Sequence, residues 1–123
     1  MVNQDPSRTM RVYRMITVGD TRKLEMMEEE IPTVQRGEVL VRVRATSLNY
    51  RDLAIMKNNY RTRVPEHLIP LSDGAGEIVA VGEGVRRFKV GDRVAGNFTR
   101  EWFGGRRPPY LELYGSHLDG WLT

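Results

Sequence analysis

The chain has 123 residues, 40% of them hydrophobic, which is enough for one domain with a core but not for two domains of ordinary size. Because the sequence contains no cysteine, it excludes disulfides, thiolate nucleophiles and zinc sites built on cysteine. The net charge of +3 comes from 19 basic and 16 acidic residues that are mixed along the chain. With no basic stripe, RNA-binding aromatic motif or zinc-finger spacing, we expect no nucleic-acid partner.

Apolar runs are short throughout the chain. Residues 78–81 form one of the longest, far below the roughly twenty residues that a membrane span needs. Residues 1–9 are polar and lack the apolar core of a secretion signal. We therefore predict a flexible leader over residues 1–9, an ordered domain over residues 10–123, no membrane association and a cytoplasmic location.

Alternating residues predict three strands in the first half of the domain. Residues 10–18 alternate with a period of two, and Gly19-Asp20 follows as a turn. Residues 24–30 predict a second strand, with a helix over residues 23–30 as the alternative, because short segments fit both periods. The alternation is clearest over residues 39–45, where valines and one alanine face one way and Leu40 and two arginines face the other.

The second half of the domain predicts one short helix, two strands and loops. Residues 49–57 suit a helical turn, and residues 61–70 suit a loop that contains two prolines. Residues 71–82 contain a glycine-bounded strand, another strand follows Gly91-Asp92, and residues 99–123 are loop-rich. These elements predict a mainly β domain with a barrel-like core and a few short helices.

Several tempting motifs have simpler explanations. The glycines around Ala75 and Glu83 belong to a strand and a turn, whereas a dinucleotide fingerprint needs a strand followed by a helix. His67 and His117 are predicted to be loop residues on the surface, because no carboxylate spacing around them suggests a metal cage. Asn97-Phe98-Thr99 matches the glycosylation triplet but has no secretion signal to accompany it.

One polar group is more informative. Asn49, Tyr50, Arg51 and Asp52 stand at a predicted strand end and helix start, and Tyr60 follows shortly after. Side chains in such a place can converge on a ligand, although the residues alone favour an ordinary polar turn.

Four segments, taken together and in this order, resemble the medium-chain dehydrogenase/reductase superfamily. They are Gly37-Glu38-Val39-Leu40-Val41-Arg42-Val43, Leu48-Asn49-Tyr50-Arg51-Asp52-Leu53, residues 73–82 (DGAGEIVAVG) and residues 88–94 (FKVGDRV). The resemblance implies a GroES-like catalytic domain, an open β-barrel with a few short helices. In zinc-dependent members a cysteine stands at the position of Asn49 and a His-Glu pair at Ser72-Asp73, so the chain is similar to the zinc-independent quinone oxidoreductases and enoyl reductases, which use NADPH.

The same resemblance implies roles for individual residues. Tyr60, eleven residues after Asn49, stands at the position of the active-site tyrosine in similar enoyl reductases, so we assign it the role of proton donor or electrophile toward a carbonyl oxygen. Asn49 is a second catalytic candidate, and Asn49, Tyr50 and Arg51 are expected to bind the cofactor. Asp52 is expected to hold the turn together, and no metal ligand is expected.

Two hypotheses about function follow. In the first, the chain is the N-terminal catalytic part of an NADPH-dependent oxidoreductase that reduces quinones or α,β-unsaturated carbonyls. A Rossmann domain, which family members place after this segment, is absent from the 123 residues, so we expect no tight cofactor binding or turnover by this chain alone. In the second, the chain is a non-catalytic binding module or a homo-oligomer that associates through exposed apolar residues. The candidates are Leu111, Leu113, Tyr114, Trp121 and Leu122.

Overall fold

A computed structural model describes residues 8–109 and 111–123 as a mainly β structure, which confirms the predicted class. Residues 1–7 of the predicted leader lie outside this range, and the first strand begins at Thr9. In chain order the elements are β1 (Thr9–Val18), β2 (Thr21–Glu30), β3 (Val39–Ser47), α1 (Tyr50–Met56), β4 (Asp73–Val81) and β5 (Arg93–Ala95). No helix in the described part of the chain is both long and apolar enough to cross a membrane.

Strands β1 and β2 form a two-stranded antiparallel hairpin. Gly19 begins its two-residue turn at a φ of 66°, a left-handed conformation that favours glycine. The strand predicted over residues 24–30 is therefore confirmed, and the helical alternative is wrong. Val12 and Met15 are both buried although they lie on opposite faces of β1, so each face of the hairpin packs against other parts of the domain.

Strands β3, β4 and β5 form the second sheet, in that order and antiparallel. Gly76 of β4 lies against the backbone carbonyl of Arg42, so a Cβ atom there would collide with the neighbouring strand. Gly76 therefore allows the close backbone approach that was predicted for the small residues of this strand. Two register shifts along β3 bend the sheet.

The helix and the loop that follows it form a small core against the hairpin. Met15, Ile55, Val64 and Leu68 are buried together, and Tyr60 packs against this cluster with Met56. Burial of each large apolar side chain contributes about 1.5–3 kcal/mol. The predicted loop over residues 61–70 thus carries core residues and fixes the position of Tyr60.

The last residues of the chain return to the middle of the domain. The backbone N–H of Gly120 donates to Ile69 O at 2.6 Å, and Tyr13 N–H donates to Leu122 O at 3.1 Å. The Trp121 indole packs onto the strand region so closely that a Cβ at Gly74 or at the glycine of position 96 would strike it. This tail is irregular, as predicted, but it is packed into the fold.

An ion-pair cluster joins the hairpin to this tail. The Arg14 guanidinium donates to both carboxylate oxygens of Glu29, one of them at 2.8 Å, and also lies 3.4 Å from Asp119. It donates to His67 O at 2.6 Å as well. The hydrogen bond with Glu29 raises the pKa of Arg14, and the same bond from Arg14 holds the pKa of Glu29 below its ordinary value.

We predict that Glu29→Gln destabilises the domain near neutral pH and that this difference disappears in strong acid. A carboxylate with a depressed folded-state pKa stabilises the fold above its unfolded-state pKa, and this contribution is lost as the pH falls through the folded-state value. Urea unfolding of both proteins at about pH 7 and about pH 3 measures the effect. Exposed Glu28→Gln on the same strand is the control, and an equal loss in both variants, or a Glu29→Gln effect that persists in acid, would contradict the prediction.

Candidate functional site

The start of α1 is built by Asn49 and Asp52. Asn49 is the N-cap residue with extended backbone, and its N–H donates to the Asp52 carboxylate at 2.8 Å. Asp52 is 7% exposed, so its carboxylate is committed to the turn, in agreement with the role that was expected for it. The Asn49 side chain is left to reach across to β4, where its amide donates to Asp73 Oδ2 at 2.8 Å.

Tyr50, the first residue of α1, is 85% exposed. It borders an open pocket of about 460 Å³ that is also lined by Asn49, Arg51, Ser72, Asp73 and Phe98. Leu48 beside it is 82% exposed. The three residues predicted to bind a cofactor therefore lie together on one wall of one pocket.

Arg51 makes the largest set of contacts in this region. One terminal nitrogen, Nη1, donates to Ser116 Oγ at 2.9 Å and to Tyr60 Oη at 3.3 Å. The other, Nη2, donates to Tyr114 O at 2.6 Å and to the hydroxyl of Ser72. All four terminal N–H groups are thus engaged within the chain, so Arg51 would act on a cofactor through its charge and not through these donors.

Aromatic rings enclose the Arg51 guanidinium as well. Its central carbon lies 4.8 Å from the centre of the Phe98 ring and 5.7 Å from that of Tyr60. Both distances are within the range of cation–π attraction. The rings limit the access of water to the cation and strengthen its hydrogen bonds.

Tyr60 is joined to the other predicted residues through Arg51. Its ring packs on the core cluster, and its hydroxyl oxygen accepts from Arg51 Nη1, which leaves the hydroxyl hydrogen free to donate elsewhere. The Tyr60 side chain also lines a second open pocket, of about 380 Å³. The four predicted residues therefore form one connected group that borders two pockets.

The positions at which the resemblance expects zinc ligands do not suit a metal ion in this chain. Asn49 and Asp73 are hydrogen-bonded to each other, and the Ser72 hydroxyl accepts from the Arg51 cation. An amide and a hydroxyl do not replace the thiolate and imidazole of a tetrahedral Zn²⁺ site, and they leave one carboxylate beside a guanidinium. Among residues 8–109 and 111–123, no three His, Asp or Glu side chains are grouped to hold a metal.

Sequence reasoning missed the contribution of the irregular tail. Phe98, Tyr114 and Ser116 all contact Arg51, yet they lie 47 to 65 residues after it in the chain. Ser116 is fully buried, and its Oγ lies 3.2 Å from Nδ1 of His117, which is half-buried although it was predicted to be at the surface. Gly115 and Gly120 indicate turns in this part of the tail, but nothing in its local sequence pattern predicts a contact with Arg51.

We predict that Arg51→Lys lowers the free energy of unfolding by about 2 kcal/mol, because a lysine keeps the charge but cannot reach four acceptors in the same geometry. Urea unfolding measures the loss, and hydrogen exchange of the amides of residues 113–118 shows whether the tail loosens. Exposed Arg86→Lys is the matched control. A stability equal to that of the unmodified chain would mean that Arg51 does not hold these segments together.

The chain matches the family model of the alcohol dehydrogenase GroES-like domain over residues 35–115. It is 45% identical to a zinc-type alcohol dehydrogenase-like protein of Schizosaccharomyces pombe over 68% of this chain and 24% of that protein. It is 39% identical to a chloroplast envelope quinone oxidoreductase homolog of Arabidopsis thaliana, over 71% of this chain and 27% of the relative. The chain therefore spans about a quarter of the length of these curated relatives.

Solved structures agree with this assignment. A candidate alcohol dehydrogenase from Sinorhizobium meliloti 1021 superposes with a TM-score of 0.85 at 33% identity, over 94% of this chain and 35% of that one. A short chain alcohol dehydrogenase from E. coli CFT073, complexed with the cofactor NADH, superposes with a TM-score of 0.78 at 27% identity, over 94% and 35% of the two chains. The expected GroES-like fold and the resemblance to the medium-chain dehydrogenase/reductase superfamily are both confirmed. The chain belongs to the alcohol dehydrogenase GroES-like domain family.

Proposed function

We propose that this chain is the catalytic-domain part of a zinc-independent, NADPH-dependent oxidoreductase that reduces quinones or α,β-unsaturated carbonyl compounds. The observation that carries the proposal is the position of Tyr60, whose hydroxyl accepts from Arg51 at 3.3 Å and which lines an open pocket. The matching relative named as a quinone oxidoreductase homolog supports the substrate class. A cytoplasmic location remains a prediction.

Tyr60 supplies the group that such a reaction needs in place of a metal. Addition of a hydride to the β-carbon of an enone places negative charge on the carbonyl oxygen, and a hydroxyl donor next to that oxygen stabilises it. Because the Tyr60 oxygen already accepts a hydrogen bond from a cation, its own hydrogen is free to donate to the substrate. The positive charge of Arg51 also favours the developing anion.

The pocket beside α1 is the proposed place for the cofactor, whose nicotinamide supplies the hydride when it is bound. Asn49 and exposed Tyr50 form its wall, and Arg51 contributes positive charge. The fit is partial, because an open pocket on one domain encloses little of a dinucleotide. We therefore propose that the chain needs a separate dinucleotide-binding domain and does not turn over substrate alone.

The hydrogen bonds and the positive charge around Ser72 and Asp73 support a mechanism without zinc. Asp73 is hydrogen-bonded to Asn49, and Ser72 is hydrogen-bonded to Arg51, so the positions of the family's metal ligands are already used. The nearby guanidinium would repel a divalent cation.

We predict that Tyr60→Phe lowers kcat by about 100-fold or more in a protein that joins this chain to the remaining segment of a full-length relative. NADPH oxidation in the presence of a quinone or an enone is followed by absorbance. Tyr13→Phe, on the outside of β1, is the matched control and should leave kcat unchanged. Unchanged turnover by Tyr60→Phe would remove this residue from the mechanism, and saturable micromolar NADPH binding to the 123-residue chain alone would contradict its dependence on a second domain.

A second candidate function is self-association without catalysis. The five tail residues that were predicted to form its surface are all partly buried, so the structure does not leave them open. Other residues are exposed instead: Leu48 at 82%, Tyr50 at 85% and Phe103 at 95%. Apolar exposure of this kind is typical of surfaces that another protein or domain covers.

If self-association is the function, the 123-residue chain should sediment as a dimer at micromolar concentration, and Leu48→Ser should shift it to a monomer. Sedimentation velocity at several concentrations measures this. Lys57→Ser, an exposed substitution at the other end of α1, serves as the control. A monomer at every concentration would remove this candidate and leave the oxidoreductase proposal unaffected.

A further inference from the structure

The pocket that Tyr60 lines is also lined by two arginines. It lies between β2 and residues 58–66, and its volume is about 380 Å³. Arg22 and Arg63 line it together with the polar side chains of Asn58 and Thr62, and Glu66 is the acidic residue among the lining groups. Two guanidinium groups against one carboxylate leave this pocket with net positive charge.

Arg22 carries hydrogen-bond donors that the protein does not use. Its Nη2 donates to Val64 O at 3.3 Å, but Nε and Nη1 are buried and have no partner within the described residues. A buried charged donor without an acceptor is costly, so such donors in a native protein are usually completed by a ligand or by water. Arg22 lines the pocket, so its charge attracts an anion that enters there, and its enclosed Nε and Nη1 would reach that anion once the side chain turns toward it.

Glu66 does not supply that acceptor. Its two carboxylate oxygens accept from Thr17, one from the backbone N–H at 2.7 Å and one from the hydroxyl at 2.6 Å. The hydrogen bond from the Thr17 side chain is the main reason that the pKa of Glu66 is lowered. The carboxylate is thus held on the hairpin, and no ion pair joins it to Arg22 in the part of the chain that the structure describes.

We propose that this pocket binds a carboxylate group of the substrate, and that the site therefore acts on enones or quinones that bear a carboxylate. Guanidinium groups bind carboxylates through strong, charge-assisted hydrogen bonds. Ile55, Val64 and Pro65 also line the pocket, which favours an organic anion over a free inorganic ion. Tyr60 lines the same pocket, so a molecule anchored at Arg22 would share the pocket with Tyr60.

The enone part of this inference rests on the proposed function, whereas the carboxylate subsite rests on the two arginines that line the pocket and on the unpartnered donors of Arg22. Binding can therefore be tested without cofactor or turnover. The probe is 4-oxopentanoate, an unreactive keto acid, and its neutral counterpart is 2-pentanone. Both are titrated into the isotope-labelled 123-residue chain at constant ionic strength, and amide and Arg Nε–H shifts are followed by NMR.

We expect saturable shifts around residues 58–66 and at the Arg22 side chain with 4-oxopentanoate, and binding of 2-pentanone about tenfold weaker or more. Arg22→Gln should weaken 4-oxopentanoate about tenfold, and Arg63→Gln should weaken it severalfold. Arg63 is exposed, so its variant keeps the fold even if Arg22→Gln does not. Arg86→Gln removes the same charge from an exposed site outside the pocket and should bind like the unmodified chain.

Three results would overturn the inference. Equal binding of 2-pentanone would mean that the carboxylate is not recognised, and an equal loss in Arg86→Gln would mean that overall charge is responsible. Inorganic phosphate that binds as tightly as 4-oxopentanoate would assign the pocket to a free ion instead of a substrate. Failure of the proposed function has a different outcome: Tyr60→Phe would then retain full turnover in the joined protein, while carboxylate binding to the 123-residue chain persists.

Discussion

The arrangement of the site depends on how one guanidinium distributes its hydrogen bonds. Arg51 leaves the first turn of α1 and contacts Tyr60, Ser72 and the neighbouring pair Tyr114 and Ser116, which come from three other places in the chain. A partly buried cation with four acceptors is stable only while all of them remain in place, because each lost acceptor leaves a charged donor unpaired. Arg51 therefore sets the position of the helix, the start of β4 and the tail relative to one another.

The same cation supports the proposal that the site works without zinc. Ser72 faces the guanidinium, and Asn49 takes up the carboxylate of Asp73. These side chains are thus hydrogen-bonded to their neighbours and are not free to act as ligands of a metal ion. The positive charge at the site belongs to the Arg51 side chain. Unlike a metal ion, a guanidinium does not dissociate from the protein and does not activate a bound water as a nucleophile.

Tyr60 connects the chemistry of the site to the stability of the domain. Its ring belongs to the core that includes Met15, Ile55 and Leu68, whereas its hydroxyl lies between Arg51 and an open pocket. Packing on one side gives the hydroxyl a fixed direction, which is what a proton donor needs.

The strands could be predicted from sequence because alternation and turn glycines are local properties. The hairpin of β1 and β2, the strand after residue 38 and the short helix after Asn49 all follow from side-chain period and backbone preference. The group Asn49, Tyr50, Arg51 and Tyr60 was also identifiable, through motif order, although its catalytic role is a proposal. The sequence could not predict which groups each of these side chains contacts. The acceptors of Arg51, the free donors of Arg22 and the burial of Ser116 depend on contacts between segments tens of residues apart, and only the tertiary structure brings those segments together.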